Sequence, residues 1–519
     1  MQPALRSQPC ASLANCASTA SGFGLSPRRF IFMAMQTSPQ QALPGPPNGE
    51  PRLERKLTLL PATALNMVDM IGVGPFTTLP LMVAAMHGPQ AIYGWIAGAV
   101  IALSDGLIWA ELGAAMPRAG GSYEYLKQIY GPHKMGRMLS FLFVFQLVFS
   151  APVSMATGCI GLAGYAAYVA PALRKIFWHS TIAFPLMGTV TLTLEVSGAT
   201  LLAMLVATFA TFLVYRRISG VGRISKFLWL GVLATLGFVI YLGLSHFQRT
   251  IAFPPGWATV PSSGFSAAFA AALLIALYDY WGYYNICFLA EEVVEPHKTI
   301  PRSMLLSIAA VACLYIAMNV SILGIMPAPE IAAMARSTSQ NFVVARAAEI
   351  VYGRWAGTLV ALLVIWTAFA SVFSLLAGYS RIPFAAARDG NFFAIFQRIH
   401  PRDHFPTASV LLLGGLAALF CIFQLRDLVS ALVVIRILLL FLLQAVGAVV
   451  WRITNPAQPR PFRMWLYPLP VIITVAGFAL VLLDKLPLVG RGLLFTGVGI
   501  AAFLLLSLRK REWPFAMRN

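Results

Sequence analysis

Charged residues are scarce in this chain. Only 11% of its 519 residues are Asp, Glu, Lys or Arg, whereas soluble domains carry about 25%. Apolar residues make up 59% of the sequence, in runs long enough to cross a bilayer. The composition excludes an ordinary soluble domain and predicts an all-α polytopic membrane protein.

Acidic residues are scarcer than basic residues. The 18 Asp and Glu residues stand against 37 Lys and Arg, for a formal net charge of +19. Most of the basic residues fall in predicted cytoplasmic tails and loops, as the positive-inside rule requires. The excess therefore indicates membrane topology, with both termini in the cytoplasm and lipid around the spans. It does not indicate a nucleic-acid partner.

Clusters that would hold a metal or a cofactor are also lacking. Cys10 and Cys16 lie in the N-terminal tail, and the other four of the six cysteines fall in separate apolar runs. All seven histidines fall in predicted loops or at span ends. There is no nucleophile elbow, phosphate loop or His/Glu metal cluster. We therefore expect no metal, no cofactor and no enzyme activity.

Long apolar runs predict about twelve membrane-spanning helices. Residues 1–50 are expected to form a disordered cytoplasmic tail, 51–451 a ten-helix core, and 452–519 two further helices with a C-terminal tail. Residues 171–197 are apolar but interrupted by charges, so we expect an external loop or a partly embedded segment there. The predicted spans are 57–86, 91–116, 136–170, 198–215, 226–245, 264–290, 302–326, 355–380, 406–424, 428–451, 465–484 and 489–508.

The first span contains a helix-breaking stretch, Asp69 to Thr78, with two glycines and Pro75 in its middle. Glycine costs backbone entropy, and proline removes an N–H donor and clashes with the preceding turn. A break at membrane depth is tolerated where it is buried in protein or lines a wet cavity. The stretch predicts either a kink at a helix–helix contact or a binding site at the new helix start.

Span 6 repeats this pattern at 277–285, with Asp279 at membrane depth and Gly282 as a possible break. An intramembrane carboxylate is costly and marks a functional site by default. The surrounding aromatics fit either ordinary packing or a binding surface. Two broken spans separated by four others suggest two five-span halves, an arrangement typical of inverted-repeat transporters.

Three predicted cytoplasmic connections complete a recognisable pattern: AELGAAMPRAGGSYEYLKQIYG (110–131), AEEVVEPHKTIPR (290–302) and SRIPFAAARDGNFFAIFQRIHPRDHFP (380–406). Together with IGVGPF (71–76), they resemble the amino acid–polyamine–organocation permease superfamily. The resemblance covers about residues 57–451. It implies a leucine-transporter-type fold of five plus five inverted repeats, in which helices 1 and 6 are unwound at the substrate site.

The resemblance also implies which residues contact the substrate. Backbone N–H groups at Val73, Gly74, Phe76 and Thr77 would bind a substrate carboxylate. Carbonyls near Met70 and Ile71, and near Tyr278 to Trp281, would accept hydrogen bonds from the substrate amine. Trp281 or Tyr283 would form an aromatic lid. The full predicted set is Ile71, Gly72, Val73, Gly74, Phe76, Thr77, Tyr278, Asp279, Trp281, Gly282 and Tyr283.

The substrate stays open between amino acids and polyamines. The Gly-Pro-Phe form of the first break and the AEEVVEP text resemble polyamine-uptake members. Asp279 would either pair with a second substrate amine or accept hydrogen bonds from backbone freed by the unwinding.

Protons are the expected coupling ion, with Na⁺ as the alternative. Asp69, Asp105 and Asp279 are the candidate proton carriers, because burial favours the neutral form of a carboxylate. Arg436, alone in span 10, would be either a counter-ion or a snorkelling residue. An inner gate is expected from a set of predicted pairings: Glu111, Glu291 and Glu292 with Arg118, Arg381 or Arg388.

The sequence therefore predicts a secondary active permease that moves amino acids or polyamines inward by proton symport and alternating access. An exchanger is the alternative within transport. A membrane sensor that has lost transport is the alternative outside it.

Overall fold

The computed structural model describes residues 55–185, 189–217, 221–258, 264–336, 342–400, 405–423 and 433–515. The predicted tail 1–50 and the first residues of predicted span 10 lie outside these ranges.

The named elements among the described residues of the first half are helices and one β-hairpin. Its elements are α1 (Leu59–Met70), α2 (Gly74–Ala85), α3 (Ala91–Ala115), α4 (Ser122–Ile129), α5 (Met135–Val169), β1 (Ile176–Pro185), β2 (Thr189–Ser197), α6 (Gly198–Arg217) and α7 (Val221–Ser245).

The named elements among the described residues of the second half are all helices, joined by turns and irregular segments, with a π-helical turn at Ile437–Phe441 ahead of α17. Its helices are α8 (Arg249–Ala252), α9 (Phe265–Tyr280), α10 (Asn285–Phe288), α11 (Pro296–Leu323), α12 (Ala328–Met334), α13 (Val343–Tyr352), α14 (Arg354–Tyr379), α15 (Arg381–Arg388), α16 (Thr407–Phe420), α17 (Leu442–Thr454), α18 (Leu469–Asp484) and α19 (Leu486–Lys510).

Among the described residues, eight helical segments are long and apolar enough to cross a membrane, and the bent pair α1–α2 makes nine. Three shorter apolar helices, α9, α16 and α18, occupy the predicted spans 6, 9 and 11. The structure is thus that of a mainly α-helical, multi-pass membrane protein. The count of twelve spans and the five-plus-five repeat stay predictions.

The segment expected to be an external loop contains the hairpin. β1 pairs antiparallel with β2, with Thr181 opposite Thr193. Residues 189–196 read TVTLTLEV, and such alternation of polar and apolar residues is typical of a strand. Because its described residues form strands, this segment is not a helical span.

The break in span 1 lies at the predicted position. α1 ends at Met70, α2 begins at Gly74, and the two helices are bent by 45°. Pro75 lies in the first turn of α2, where its missing N–H costs no helical hydrogen bond.

Span 6 is interrupted as well. α9 ends at Tyr280, Trp281 is extended (φ −65°, ψ 149°), and α10 begins at Asn285. Gly282 has φ +126°, a backbone conformation that residues with a Cβ rarely adopt.

The core packs around these two breaks. α1 lies against α11 and α14, α9 lies against α2 and α3, and α5 packs along α14. Since lipid tails are as apolar as the side chains, close van der Waals packing and interhelical hydrogen bonds hold such helices together. One such bond joins Asn66 of α1, whose side-chain oxygen accepts from the Ile286 N–H of α10 at 3.0 Å.

Candidate substrate site

The two helix breaks meet each other. A Cβ on Gly282 would lie 2.7 Å from the Met70 nitrogen and 2.8 Å from the Asp69 carbonyl carbon. Both distances are too short for any side chain, so glycine is required for this close approach as well as for its positive φ.

A cavity of about 60 Å³ lies between the breaks. This is small beside ligand sites of roughly 300–1,000 Å³, so a substrate can be accommodated only if the surrounding helices move. Its walls come from α1–α2, α5, α9–α10, α14 and the helix containing Arg436. The lining residues are Asp69, Met70, Gly72, Val73, Gly74, Ser154, Thr157, Gly158, Tyr278, Asp279, Trp281, Gly282, Tyr284, Ser371, Leu375, Tyr379 and Arg436.

The predicted site residues divide into two groups. Those that line the cavity are Asp69, Gly72, Val73, Gly74, Tyr278, Asp279, Trp281 and Gly282; Ile71, Phe76, Thr77, Tyr283 and Asp105 lie outside its lining. The Tyr283 hydroxyl donates to Asp105 at 2.5 Å, behind the cavity wall. Substrate contact by any of these residues stays a prediction.

Two of the backbone donors near the first break are already engaged. The Gly72 N–H donates to the Met70 carbonyl at 2.9 Å, and the Phe76 N–H donates to the Val73 carbonyl at 3.2 Å. The N–H groups of Val73 and Gly74 have no backbone acceptor in the described part of the chain. These two are the donors that the start of α2 leaves for an anion.

The carbonyls expected to accept a substrate amine have a partner that the sequence analysis missed. The Tyr315 hydroxyl of α11 donates to the Met70 carbonyl at 2.7 Å and lies 3.2 Å from the Asp279 carbonyl. One side chain therefore joins the two broken helices. Tyr315 is the only aromatic residue in predicted span 7, and that isolation was the available signal.

Asp279 reaches from the last turn of α9 to the first turn of α2. Its Oδ2 accepts a hydrogen bond from the Thr78 hydroxyl at 2.5 Å. Its Oδ1 has no hydrogen-bond partner and lies so close to Gly74 that a Cβ there would be 2.1 Å away. The carboxylate is 2% exposed.

Asp69 and Arg436 bring charges of opposite sign into the cavity. Both Asp69 carboxylate oxygens are buried without a hydrogen-bond partner. Arg436 donates to the Ser154 hydroxyl at 2.8 Å and lies 5.5 Å from the centre of the Tyr379 ring. Arg436 is only 5% exposed, so it does not snorkel. The arginine fits the counter-ion alternative.

Aromatic rings close the rest of the cavity. Trp281 stacks on Phe441 with ring centres 4.8 Å apart, and Tyr284 stacks on Trp109 at 4.7 Å. Of the two aromatic residues predicted as lids, Trp281 lines the cavity, whereas Tyr283 does not. A ring with its face toward a substrate cation would add a cation–π attraction.

Ion pairs lie at the predicted cytoplasmic end of the breaks. Glu291 accepts two hydrogen bonds from Arg388, at 2.8 and 3.2 Å, and Glu292 accepts one from Arg381 at 3.0 Å. Burial alone would raise the pKa of Glu291. The Arg388 guanidinium, together with the Ala119 N–H and the charge of Arg118, holds that pKa below its ordinary value.

The prediction for Glu111 was wrong. Its carboxylate accepts a bidentate pair of hydrogen bonds from Arg452 and a further hydrogen bond from the Met464 N–H at 2.7 Å. Arg118 pairs with Glu124 instead, at 3.0 Å. This contact joins the end of predicted span 2 to residues that follow predicted span 10, and no local sequence pattern predicts such a long-range contact.

Comparison with known proteins gives consistent results. The amino acid permease family model matches residues 57–503. The serine/threonine exchanger SteT of Bacillus subtilis (strain 168) is 25% identical, over 83% of this chain and 91% of its own length. The branched-chain amino acid permease BcaP of the same organism is 24% identical, over 80% and 85%. The human cystine/glutamate transporter is 26% identical, over 90% and 89%.

The family match spans most of the chain and includes both breaks, the cavity and the paired cytoplasmic connections. The relatives are transporters and cover most of this chain. The chain belongs to the amino acid permease family of the amino acid–polyamine–organocation superfamily.

Proposed function

We propose that this chain is a secondary active transporter that moves amino acids across a membrane. The observation that carries the proposal is the buried cavity at the meeting point of two broken helices, with acidic and basic side chains facing it. Amino acid transport is also what the names of its relatives state.

The charges of the cavity match those of a zwitterion. A substrate α-amine would approach the last carbonyls of α1, near Met70 and Ile71, where the α1 dipole favours positive charge. The substrate carboxylate would approach the free N–H groups of Val73 and Gly74, where the α2 dipole favours negative charge.

Arg436 favours amino acids over polyamines. A substrate with two ammonium groups would bring a second positive charge toward the buried guanidinium. At about 6 Å and an effective dielectric constant near 20, two such charges repel by roughly 3 kcal/mol. Polyamines therefore rank second, supported by the Gly-Pro-Phe break and by the second cavity carboxylate, Asp279.

Proton symport is the proposed coupling, with Na⁺ as the alternative ion. A buried carboxylate without hydrogen-bond partners is costly to keep ionised, and a proton removes that cost. Asp69 is the first choice of carrier, ahead of Asp105 and Asp279, because neither of its oxygens has a partner. Exchange is the second candidate, since one relative is named an exchanger.

Alternating access would proceed by rocking of the broken helices around the cavity. The Glu291–Arg388 and Glu292–Arg381 pairs would hold the cytoplasmic end closed, and their separation would open it. The cavity is small in the present conformation, consistent with a closed state that expands around substrate.

Uptake into proteoliposomes tests the proposal. Purified full-length chain is reconstituted and offered radiolabelled serine, leucine, lysine, glutamate or putrescine, with and without an inward proton gradient. We expect at least one amino acid to accumulate with the gradient and putrescine not to. Accumulation only when the vesicles are preloaded with amino acid would favour exchange. Transport of putrescine alone would refute the proposal.

A further inference from the structure

The side chain of Asp279 places a carboxylate of the protein itself at the start of α2. Its Oδ1 lies against Gly74, the first residue of the helix, and its Oδ2 is held by the Thr78 hydroxyl one turn later. α2 has 12 residues, and the acid comes from a different broken helix, α9. The contact therefore joins the second half of one break to the first half of the other.

The same place is where a substrate carboxylate is proposed to bind. Val73 and Gly74 supply the free N–H groups there, and Gly74 is in direct contact with Asp279. Two carboxylates brought together beside one helix start repel each other, and the helix dipole cannot satisfy both. The Asp279 carboxylate at this place must therefore weaken the binding of a substrate carboxylate.

Only one of the two oxygens of the Asp279 carboxylate has a hydrogen-bond partner. Oδ2 has the Thr78 hydroxyl, while Oδ1 is buried with no hydrogen-bond partner. A group committed to a structural role would normally have both oxygens engaged, since buried polar atoms seldom lack partners. The free oxygen faces the cavity side of α2, beside Gly74.

We infer that Asp279 is a tethered competitor of the substrate carboxylate: it lies beside Gly74 at the start of α2, repels that carboxylate there, and must move away when an amino acid binds. Thr78 is the positioning residue that holds the competitor in place. The inference rests on the proposed function, because it assumes a substrate that carries a carboxylate. Asp279 then sets how strongly the transporter prefers amino acids to the corresponding amines.

If Asp279 instead binds a substrate amine, neutralising it changes the ligand affinities in the opposite direction. If Asp279 bound a substrate amine, neutralising it would weaken every amine-bearing ligand. If it competes with the substrate carboxylate, neutralising it strengthens only ligands that have one. The sign of the change therefore separates the two roles.

Matched ligand pairs measure that sign. Affinities of purified full-length protein are determined for serine, leucine and lysine and for the amines that lack only the carboxylate: ethanolamine, 3-methylbutylamine and cadaverine. The variants are Asp279→Asn, Thr78→Val, and Thr78→Ser, which retains the hydroxyl. Thermal unfolding of each variant checks that it is folded.

We expect Asp279→Asn to tighten binding of the amino acids about tenfold and to change binding of the amines by less than threefold. Thr78→Val, which releases the competitor without removing it, should tighten amino acid binding by a smaller factor. Thr78→Ser should match the wild type. If Asp279→Asn does not fold, Thr78→Val against Thr78→Ser decides the question.

Equal weakening of amino acids and amines by Asp279→Asn would overturn the inference and assign Asp279 to the amine. Unchanged affinities in both Asp279→Asn and Thr78→Val would also overturn it. A failure of the proposed function looks different: no amino acid of the panel would bind the wild type or any variant, whatever happens with the amines.

Discussion

At the scale of single residues, the charges around the cavity determine what it can bind. Asp69, Asp279 and Arg436 are all buried within it, at 6%, 2% and 5% exposure. None of them forms an ion pair within 4.0 Å in the described part of the chain. Unpaired buried charges are costly, and in a membrane-spanning region they mark functional positions.

Gly74 should tolerate no side chain. Gly74→Val should abolish amino acid uptake in proteoliposomes without preventing membrane insertion, because a Cβ there would lie 2.1 Å from Asp279 Oδ1 and would crowd the helix start. Gly237→Val is the matched control, since no atom lies within 4 Å of a Cβ at that helical glycine. Normal uptake by Gly74→Val would contradict the placement of the substrate.

Asp69 should determine how uptake depends on pH. In the wild type we expect uptake to be several-fold faster at acidic than at alkaline external pH, because transport requires a proton on this buried carboxylate. Asp69→Asn cannot take up a proton, so its profile should be flat. Asp105→Asn is the comparison, because Asp105 lies outside the cavity lining. If the pH profile is flat in Asp105→Asn and unchanged in Asp69→Asn, the proton carrier is Asp105 and not Asp69.

At the scale of elements, local sequence signals located both breaks. Gly72, Gly74 and Pro75 predicted the end of α1 and the start of α2, and Gly282 predicted the interruption after α9. These predictions succeeded because glycine and proline act on their own backbone. The hairpin was missed because the charges that interrupt 171–197 indicated an external loop or a partly embedded segment, and that prediction did not use the polar–apolar alternation in β2.

Contacts between distant elements were harder to predict. The Tyr315 bridge and the Glu111–Arg452 pair join residues that are more than 200 positions apart. No local pattern predicts such contacts, and only the packing of α11 or of α17 creates them. Arg436 was recognised as unusual, but its two alternatives could be separated only by its burial in the structure.

The Tyr315 hydroxyl should stabilise the pairing of the two broken helices. Tyr315→Phe leaves the Met70 and Asp279 carbonyls without this donor, which should cost roughly 1–3 kcal/mol of stability. We expect a lower apparent melting temperature and a lower uptake rate. Tyr352→Phe is the control, because among the described residues its hydroxyl has a hydrogen bond only to the exposed Ser245 hydroxyl. Equal melting temperatures for the two variants would exclude the bridging role.

At the scale of the whole molecule, the ion pairs at one end of the breaks should bias the equilibrium between conformations. Glu291 and Arg388 are about a quarter exposed, at 24% and 30%, so the pair is only partly screened by solvent. Their two-pronged geometry favours the closed state by roughly 1 kcal/mol. Such an energy would change the ratio of closed to open states by about fivefold.

A double-mutant cycle tests this pair. Glu291→Gln and Arg388→Gln should each lower the apparent melting temperature, and the double variant should lose less than the sum of the two. Glu295→Gln is the control, since the Glu295–Lys298 pair is about two-thirds exposed on both side chains. Strict additivity would contradict a coupled pair.

The same pair should not sense physiological pH. The lowered pKa of Glu291 means that its contribution is fully present above its ordinary value of 4.5 and is lost as pH falls through the lowered value. Melting temperatures of the wild type and of Glu291→Gln should therefore differ by a constant amount between about pH 5.5 and pH 8. They should converge in stronger acid. A difference that vanished near pH 7 would contradict this account.

The central claim is that an amino acid binds between the two helix breaks. A cryo-electron microscopy structure of the chain, saturated with the amino acid that it accumulates in proteoliposomes, tests this most directly. We expect ligand density between Asp69 and Gly74, in a cavity larger than the present 60 Å³, with the Asp279 carboxylate moved away from Gly74. Ligand density at any other place, with the breaks still packed together as here, would contradict it.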